Sequence, residues 1–128
     1  FLAVAIKQRY RGHAVQAGHI AAMCHAGAYL GRFVIVVDED VDVTNLEEVI
    51  WAACTRCDPA DDIGFIKNAW SSALDPVISP DNRKAGKLYN SRAIVNACRP
   101  FHWKDDFQEV NYKKVDMTNH KPIVKKKW

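Results

Sequence analysis

Four carboxylates are the residues whose types and spacing most plainly suggest chemistry in this sequence. Asp38, Glu39, Asp40 and Asp42 follow the apolar run "RFVIVV" within a few residues of one another. Such a cluster suits a metal site, a pair of catalytic acid and base groups, or the polar end of an α/β fold. An EF-hand loop is disfavoured because the Gly at its sixth position and the Glu at its twelfth are missing. The acids also precede a predicted helix, whose N-terminus stabilises negative charge without a ligand, so a structural role is favoured.

Cysteine and histidine residues offer a second candidate chemistry. Cys54 and Cys57 have the spacing of a thioredoxin-type redox pair, but they fall at the end of the predicted helix "NLEEVIWAACTRC". A reactive thiol of that type needs the start of a helix, where the dipole lowers its pKa. A zinc site would need a second CxxC or a paired His motif. His19 and His25 are six residues apart, which does not place them on one helix face, so ordinary thiols and histidines are predicted.

Composition limits the class of protein. The chain has 128 residues, 48% of them hydrophobic, which is enough for one domain with a buried core. The net charge of +3 is concentrated in the segment "HKPIVKKKW", so the basic stripe of a nucleic-acid binder is not predicted. No run of 18 apolar residues is long enough to cross a membrane. Because "FLAVAIKQ" lacks the features of a signal peptide, we expect an internal strand of a longer, cytoplasmic protein.

Hydrophobic periodicity predicts alternating strands and helices. The run "LAVAIKQ" predicts a strand, and "HAVQAGHIAAMCHAGAYL" predicts one helix that ends at Gly31. The run "RFVIVVDE" is apolar on both faces, as in a central parallel strand. A second helix is predicted from an N-cap at Thr44 or Asn45 to the Asp58–Pro59 pair. The positions expected to form its buried stripe are Leu46, Val49, Ile50 and Ala53.

This alternation predicts the fold class and the domain limits. "DIGFIKNAW" follows as a third strand, so we expect an α/β, three-layer βαβαβ domain with a mainly parallel sheet over residues 1–100. The turn-rich stretch after it leads to "RAIVNACRP", a short strand or helix. Residues 101–128 are predicted to form an irregular extension leading into a C-terminal helix. Trp51 and Trp70 are expected to pack in the core or in an interface.

Several stretches, taken together, resemble one family. In their order along the chain they are similar to the C-terminal region of the UbiD-type decarboxylases, the prenylated-flavin-dependent enzymes that add or remove CO2 on aromatic and α,β-unsaturated acids. The hydroxybenzoate branch is more similar than the cinnamate branch. The family pattern has Pro before Gly12, where this chain has Arg11. The stretches are "AIKQRYRGHAVQAG", "GRFVIVVDEDVDVTNLEEVIWAACTRCDPADDI", "AWSSALDP" and "SRAIVNACRP".

The resemblance implies a function shared with another part of the enzyme. In the family an N-terminal portion holds prenylated FMN, a divalent metal (Mn or Mg), a potassium ion and the catalytic Arg and Glu residues. No stretch here resembles that portion, so no catalytic, cofactor-binding or metal-binding residue is predicted in this chain, and the chain alone is expected to be inactive. The C-terminal region is implied to mediate homo-oligomerisation and to close against the cofactor-binding domain by a hinge motion. The implied reaction is reversible, non-oxidative decarboxylation of an aromatic acid.

Three residues are candidates for the substrate pocket. The resemblance places Leu74, with Ser72 beside it, where family members bring an apolar side chain over the substrate; the alternative is a loop anchored by Pro76. Lys7 ends the first predicted strand on the presumed ligand side, where it would meet a hydroxyl or carboxylate of the substrate or would simply be a solvated charge.

Two other functional classes are weighed against the UbiD-type domain. The chain would otherwise be a stand-alone, non-catalytic assembly subunit of such an enzyme. A nucleotide-binding α/β domain is disfavoured, because Gly12 and Gly18 match a Gly-rich phosphate loop poorly.

Overall fold

A computed structural model of the protein describes residues 1–106. Strands and helices alternate through most of this range, as the sequence predicts, and the α/β class is confirmed. None of the helices in this part of the chain is long and apolar enough to cross a membrane. The elements, in chain order, are β1 (Leu2–Ile6), α1 (His13–Met23), α2 (His25–Leu30), β2 (Phe33–Asp38), α3 (Leu46–Arg56), α4 (Pro59–Asp62), β3 (Ile63–Trp70), α5 (Pro80–Lys84) and β4 (Tyr89–Ala97).

The sheet has the order β1-β2-β4-β3 and forms the middle of three layers. On one face α1 packs against Val34, Val36 and Ile94. On the other face α3 packs against the alternate residues of the strands, among them Val37 and Ala97. Because β2 contributes buried side chains to both faces, it is the central strand that its apolar run predicts. The three-layer arrangement is therefore confirmed.

One strand runs against the others. β1, β2 and β4 are parallel, whereas β3 pairs antiparallel with β4 at the edge of the sheet. Arg56, the last residue of α3, donates to Asp40 just beyond β2. The helix therefore ends at the carboxyl end of the parallel strands, and the chain enters β3 from that end. The sheet is mainly parallel, as predicted, with an antiparallel edge that the sequence pattern does not reveal.

The edge strand carries a β-bulge. The pairing of β3 with β4 shifts between Ile66 and Ala69, and Asn68 within the shift has a φ of 57°. Asn is one of the few residues that adopt this left-handed conformation readily. The bulge bends the outer end of β3 out of the regular ladder.

The first predicted helix is divided in two. Cys24 is extended, with a φ of −68° and a ψ of 165°, and separates α1 from α2. Arg92 accounts for the break: its guanidinium is buried and donates to the carbonyl oxygens of Ala22, Gly27 and Ala28 around the break. A Cβ at Gly27 would overlap the Ala21 carbonyl oxygen, so glycine permits the close approach of α2 to the end of α1. The prediction of one continuous helix is therefore wrong.

The buried face of α3 differs from the predicted stripe. Asn45 is the N-cap, accepting from the Glu47 N–H at 3.1 Å. Leu46 and Ile50 are exposed, while Val49 and Ala52 are buried. Arg56, with no exposed side-chain surface, occupies the next position of the buried face. The predicted stripe is therefore right at Val49 and at the partly buried Ala53, and wrong at Leu46 and Ile50.

The remaining predictions on the fold have mixed outcomes. Trp51 packs against the α3 core beneath the Arg56 guanidinium, as expected, but Trp70 is half exposed and contacts the ring of Tyr29 edge-on. Gly12, with a φ of 95°, makes the turn into α1 that the departure at Arg11 had left open. The "RAIVNA" stretch is a strand, β4. The predicted extension is described only as far as a turn over residues 101–106, and its predicted C-terminal helix lies outside the described residues.

We expect Gly18→Ala to destabilise the domain. A Cβ at Gly18 would overlap Ile94 Cγ2, so α1 would have to move away from β4. The expected loss in the free energy of unfolding is about 1–3 kcal/mol, measured by urea denaturation. Gly64→Ala is the matched control, because nothing lies within 4 Å of the added methyl group. Equal stability of the two variants would contradict the close approach of α1 to the sheet.

Candidate functional site

The acid-rich turn after β2 is held by basic and amide side chains. Asp38 accepts from Gln8 Nε2 at 2.8 Å and from the Arg99 backbone N–H at 2.7 Å. Asp40 accepts from both terminal nitrogens of Arg56, at 3.1 and 2.7 Å, and lies 3.0 Å from Arg99 Nη2. Burial would raise the pKa of Asp40, but the hydrogen bonds and charges of Arg56 and Arg99 outweigh it and lower that pKa.

The other carboxylates of the turn make local contacts. Asp42 accepts from the backbone N–H and the hydroxyl of Thr44, and Glu39 forms an exposed ion pair with Lys7. Among residues 1–106, no group of three or more His, Cys, Asp or Glu side chains is arranged to hold a metal ion. These contacts support the structural role that the sequence favours for the acids.

Lys7 lies at the carboxyl end of the parallel strands. It lines a pocket of about 170 Å³ together with Glu39 and Arg99. Its Nζ is 3.3 Å from Glu39 Oε1, and more than half of each side chain is exposed. A solvated ion pair of this kind contributes little to stability.

Ser72 and Leu74 lie at the opposite end of the sheet. They line a cleft of about 520 Å³ beside Arg32, which precedes β2, and Asn90, at the start of β4. The length of β2, roughly 17 Å at about 3.3 Å per residue, separates this end from the Lys7 pocket. The structure therefore brings two of the three candidates together and places Lys7 elsewhere.

Asp75 is the polar centre of this cleft, and sequence reasoning missed it. Its side chain is only 7% exposed and accepts from the Val77 backbone N–H at 3.0 Å, Ser71 Oγ at 3.0 Å, Asn90 Nδ2 and Arg32 Nη2. Burial would raise the pKa of Asp75, but these donors lower it well below its ordinary value. An Asp before Pro in a Ser-rich loop is typical of a turn in which the carboxylate accepts from the backbone two residues on. That signal was available in "SSALDP".

Arg92 forms the buried floor of the cleft and was also missed. It donates to the carbonyls around the α1–α2 break and to the Trp70 carbonyl at the end of β3. A single charge within the apolar strand "RAIVNA" was the available signal, because a buried Arg must find partners. The contact links α2, β3 and β4 at one side of the cleft.

The cysteines do not form a redox site in this structure. All four are free, and Cys57 lies at the C-cap of α3. Burial and the nearby Asp62 and Asp58 raise the pKa of the Cys57 thiol. Burial likewise raises the pKa of Cys98. Because a raised pKa disfavours the reactive thiolate, ordinary thiols are the better interpretation.

The described residues do not fit a flavin or metal cofactor. Gly18, a candidate for a phosphate loop, is used for packing against Ile94 and faces the core. The carboxylates that could bind a metal are engaged by Arg56, Arg99 and Lys7. The cleft beside Leu74 can supply an apolar wall and polar anchors, and no step of flavin chemistry is derived from it.

The family of the chain is decided by its sequence. Residues 1–97 match the family described as the 3-octaprenyl-4-hydroxybenzoate carboxy-lyase C-terminal domain. The chain belongs to this family. It is thus a UbiD-type C-terminal domain, as the sequence resemblance implies.

Named relatives of this UbiD-type domain are decarboxylases. It is 34% identical to a phenolic acid decarboxylase of Sedimentibacter hydroxybenzoicus over 76% of the chain and 19% of that protein. It is 33% identical to an anhydromevalonate phosphate decarboxylase of Methanothermobacter thermautotrophicus over 85% of the chain and 24% of that protein. The chain therefore spans about a fifth to a quarter of the length of these curated relatives.

Solved structures share the fold of this UbiD-type domain. The closed form of the Sedimentibacter hydroxybenzoicus vanillic acid decarboxylase is 31% identical, with a TM-score of 0.69 over 85% of this chain and 22% of that one. An open form of the same enzyme is also similar. The UbiD-class enzyme HmfF from Pelotomaculum thermopropionicum, solved with FMN, has a TM-score of 0.69 over 94% of this chain and 26% of that one. At 23% identity this last likeness concerns the fold alone.

We expect Asp75→Asn to weaken the pH dependence of stability in acid. The folded pKa of Asp75 lies below its ordinary value of 3.8, so its stabilising contribution is complete above that pH and is lost as the pH falls below it. The variant should be less stable at neutral pH and should lose less further stability below about pH 4. Urea denaturation at several pH values measures this. The control is Asp81→Asn in the exposed first turn of α5, and identical slopes for the two variants would contradict the role of Asp75.

Proposed function

We propose that this UbiD-type domain is the C-terminal part of a longer enzyme that catalyses reversible, non-oxidative decarboxylation of a hydroxybenzoate-type acid. The domain would comprise residues 1–100, followed by an extension over residues 101–128. Its role is to supply one wall of the active site and part of the subunit contacts. The observation that carries this proposal is Leu74, which is 89% exposed beside a cleft although it is apolar.

The surroundings of Leu74 support an apolar wall. The ring of Tyr29 and the backbone of Gly31 line the same cleft, and Ser72 lies beside Leu74. Covering an exposed apolar side chain with another surface is favourable, because it removes apolar surface from water. A substrate ring enclosed between this cleft and the cofactor-binding part of the enzyme would provide that cover, so Leu74 and Ser72 are the proposed pocket residues.

Lys7 is a weaker candidate for the same pocket. It lies at the other end of the sheet and is paired with Glu39. We retain it only as a proposed contact of a substrate carboxylate or hydroxyl that would approach from the carboxyl ends of the strands.

The chemistry would belong to the other part of the enzyme. In the proposal, prenylated FMN, its divalent metal (Mn or Mg) and the potassium ion are held outside this chain, and the flavin supplies the electron sink for loss of CO2. This domain closes on that part, excludes water and completes the pocket. The open and closed forms of the vanillic acid decarboxylase support such a closure.

The substrate class rests on the relatives and on the cleft. Two of the named relatives act on phenolic and vanillic acids, and the Tyr29 ring and Leu74 suit a flat aromatic acid. The relative that acts on anhydromevalonate phosphate makes a non-aromatic acid the competing substrate. A cytoplasmic location is part of the proposal, supported by four cysteines that are all free.

The second candidate is a stand-alone, non-catalytic assembly subunit. It is favoured by the exposed rings of Phe33 and Phe65, which the surface of a partner would cover. The intact mass of the natural gene product separates the two candidates. A mass several times that of this chain supports the enzyme domain, and a mass equal to that of this chain supports the subunit.

We expect substitutions at Leu74 to change substrate preference more than stability. In the full-length protein, Leu74→Ala and Leu74→Phe should shift the ratio of kcat/KM between small and bulky hydroxybenzoates by about 10-fold in opposite directions. The free energy of unfolding should change little, because the side chain is exposed. Val77→Ala, in the same loop but outside the cleft lining, is the control. An unchanged preference combined with lost stability would make Leu74 a packing residue.

We expect the isolated chain to self-associate. Phe33 and Phe65 both neighbour Ala93 in the sheet, and since directly paired residues share a face, the two exposed rings lie on one face. Exposed apolar surface of this kind promotes association. Light scattering after size exclusion should show a mass above the monomer that rises with concentration, and Phe65→Ser should lower it. A monomer at all concentrations would argue against an assembly role.

A further inference from the structure

In the loop that bears Leu74, the exposure of polar and apolar side chains is the reverse of the usual distribution. Leu74 and Val77 are exposed, whereas the carboxylate of Asp75 between them is almost fully buried. Apolar side chains are normally buried and carboxylates normally hydrated. Burial of a carboxylate costs free energy unless it is paired and hydrogen-bonded. The contacts of Asp75 must therefore be strong enough to hold the loop in this conformation.

Side-chain donors to the Asp75 carboxylate come from the ends of three strands. Arg32 precedes β2, Ser71 follows β3 and Asn90 lies in β4. Arg32 and the Val77 backbone N–H donate to Oδ1, while Ser71 and Asn90 donate to Oδ2. Each oxygen thus accepts two hydrogen bonds, which fills the usual capacity of a carboxylate. The position of Asp75 is consequently fixed to the sheet.

The backbone on both sides of Leu74 is fixed as well. Leu74 N–H donates to Ser72 Oγ at 3.2 Å, and Asp75 N–H donates to the Ser72 carbonyl at 3.0 Å. The Asp75 carbonyl accepts from Arg83 Nη2 at 2.6 Å. Because Ser72 and Asp75 hold the backbone on both sides of Leu74, the side chain is presented to solvent beside the cleft.

We propose that Asp75 is a positioning residue, whose hydrogen bonds with Arg32, Ser71 and Asn90 hold Leu74 in place as the wall of the substrate pocket. This inference rests on the proposed function of Leu74. Asp75 does not touch the substrate; it acts through the side chain beside it. Loss of its negative charge should weaken the hydrogen bonds that hold the loop, so that Leu74 moves away from the cleft and the KM for the substrate rises.

A double-mutant cycle in the full-length protein tests this coupling. Asp75→Asn should raise KM about 10-fold with a smaller effect on kcat, because a contact to the bound substrate is lost in the ground state. In the Leu74→Ala background the same substitution should change KM by less than about twofold. The loss of unfolding free energy should be equal in both backgrounds. Asp81→Asn is the control and should leave KM unchanged.

The outcomes separate the inference from the function on which it rests. An equal rise in KM in both backgrounds would overturn the positioning role, because Asp75 would then act independently of Leu74. No effect of Leu74→Ala on kcat/KM would instead overturn the proposed pocket wall. Where Asp75→Asn does not fold, Ser71→Ala removes one of the four donors and should give a smaller rise in KM with the same dependence on Leu74.

Hydrogen exchange in this chain gives a readout that does not depend on catalysis. The amides of Leu74, Val77 and Ile78 are held by Ser72, by the Asp75 carboxylate and by the Asp75 carbonyl. Asp75→Asn should speed their exchange by about 10-fold or more, while amides of β2 keep their protection. Unchanged exchange at these three amides would show that the loop is fixed without Asp75 and would overturn the proposal.

Discussion

The structure depends on a guanidinium buried against one face of the sheet. Arg92 projects from β4 and donates to carbonyls at the break between α1 and α2 and at the end of β3. A buried charge is tolerated only when donors and acceptors match. These hydrogen bonds connect β4 to the α1–α2 break and to the end of β3. The cleft beside Leu74 lies where α2, the loop after β3 and β4 meet at this guanidinium.

The two ends of the sheet have different roles. At the carboxyl ends of the parallel strands, where α/β proteins commonly bind ligands, Asp38 and Asp40 are engaged by Arg56 and Arg99. At the amino ends, Asp75 is the charged centre and the apolar side chain next to it stays uncovered. Charged groups join elements of the domain at both ends, and at the amino ends an apolar side chain is also exposed beside a cleft. This exposed side chain is the observation behind the proposed pocket wall.

Local sequence patterns predicted most of the strands and helices. The features that these patterns did not predict depend on contacts between residues distant in sequence. The β-branched run of β2 and the Asn45 cap of α3 were both predictable, since each depends on neighbouring residues. The break at Cys24 depends on Arg92, almost 70 residues further along, and the direction of β3 depends on where Arg56 finds its carboxylates. Leu74 was proposed by family resemblance alone. For Asp75 the "SSALDP" stretch indicated only a local turn, whereas the donors Arg32 and Asn90 are distant in sequence.

The bulge in β3 bears on the tendency of this domain to aggregate through its edge strand. β3 is an edge strand, and regular edges invite pairing with strands of other molecules. The register shift at residues 66–69 and the left-handed Asn68 interrupt the outward row of backbone donors and acceptors. A chain that displays phenylalanine and leucine to solvent would otherwise be a template for cross-β growth. The irregular edge therefore disfavours strand-to-strand pairing between molecules even though apolar side chains are exposed nearby.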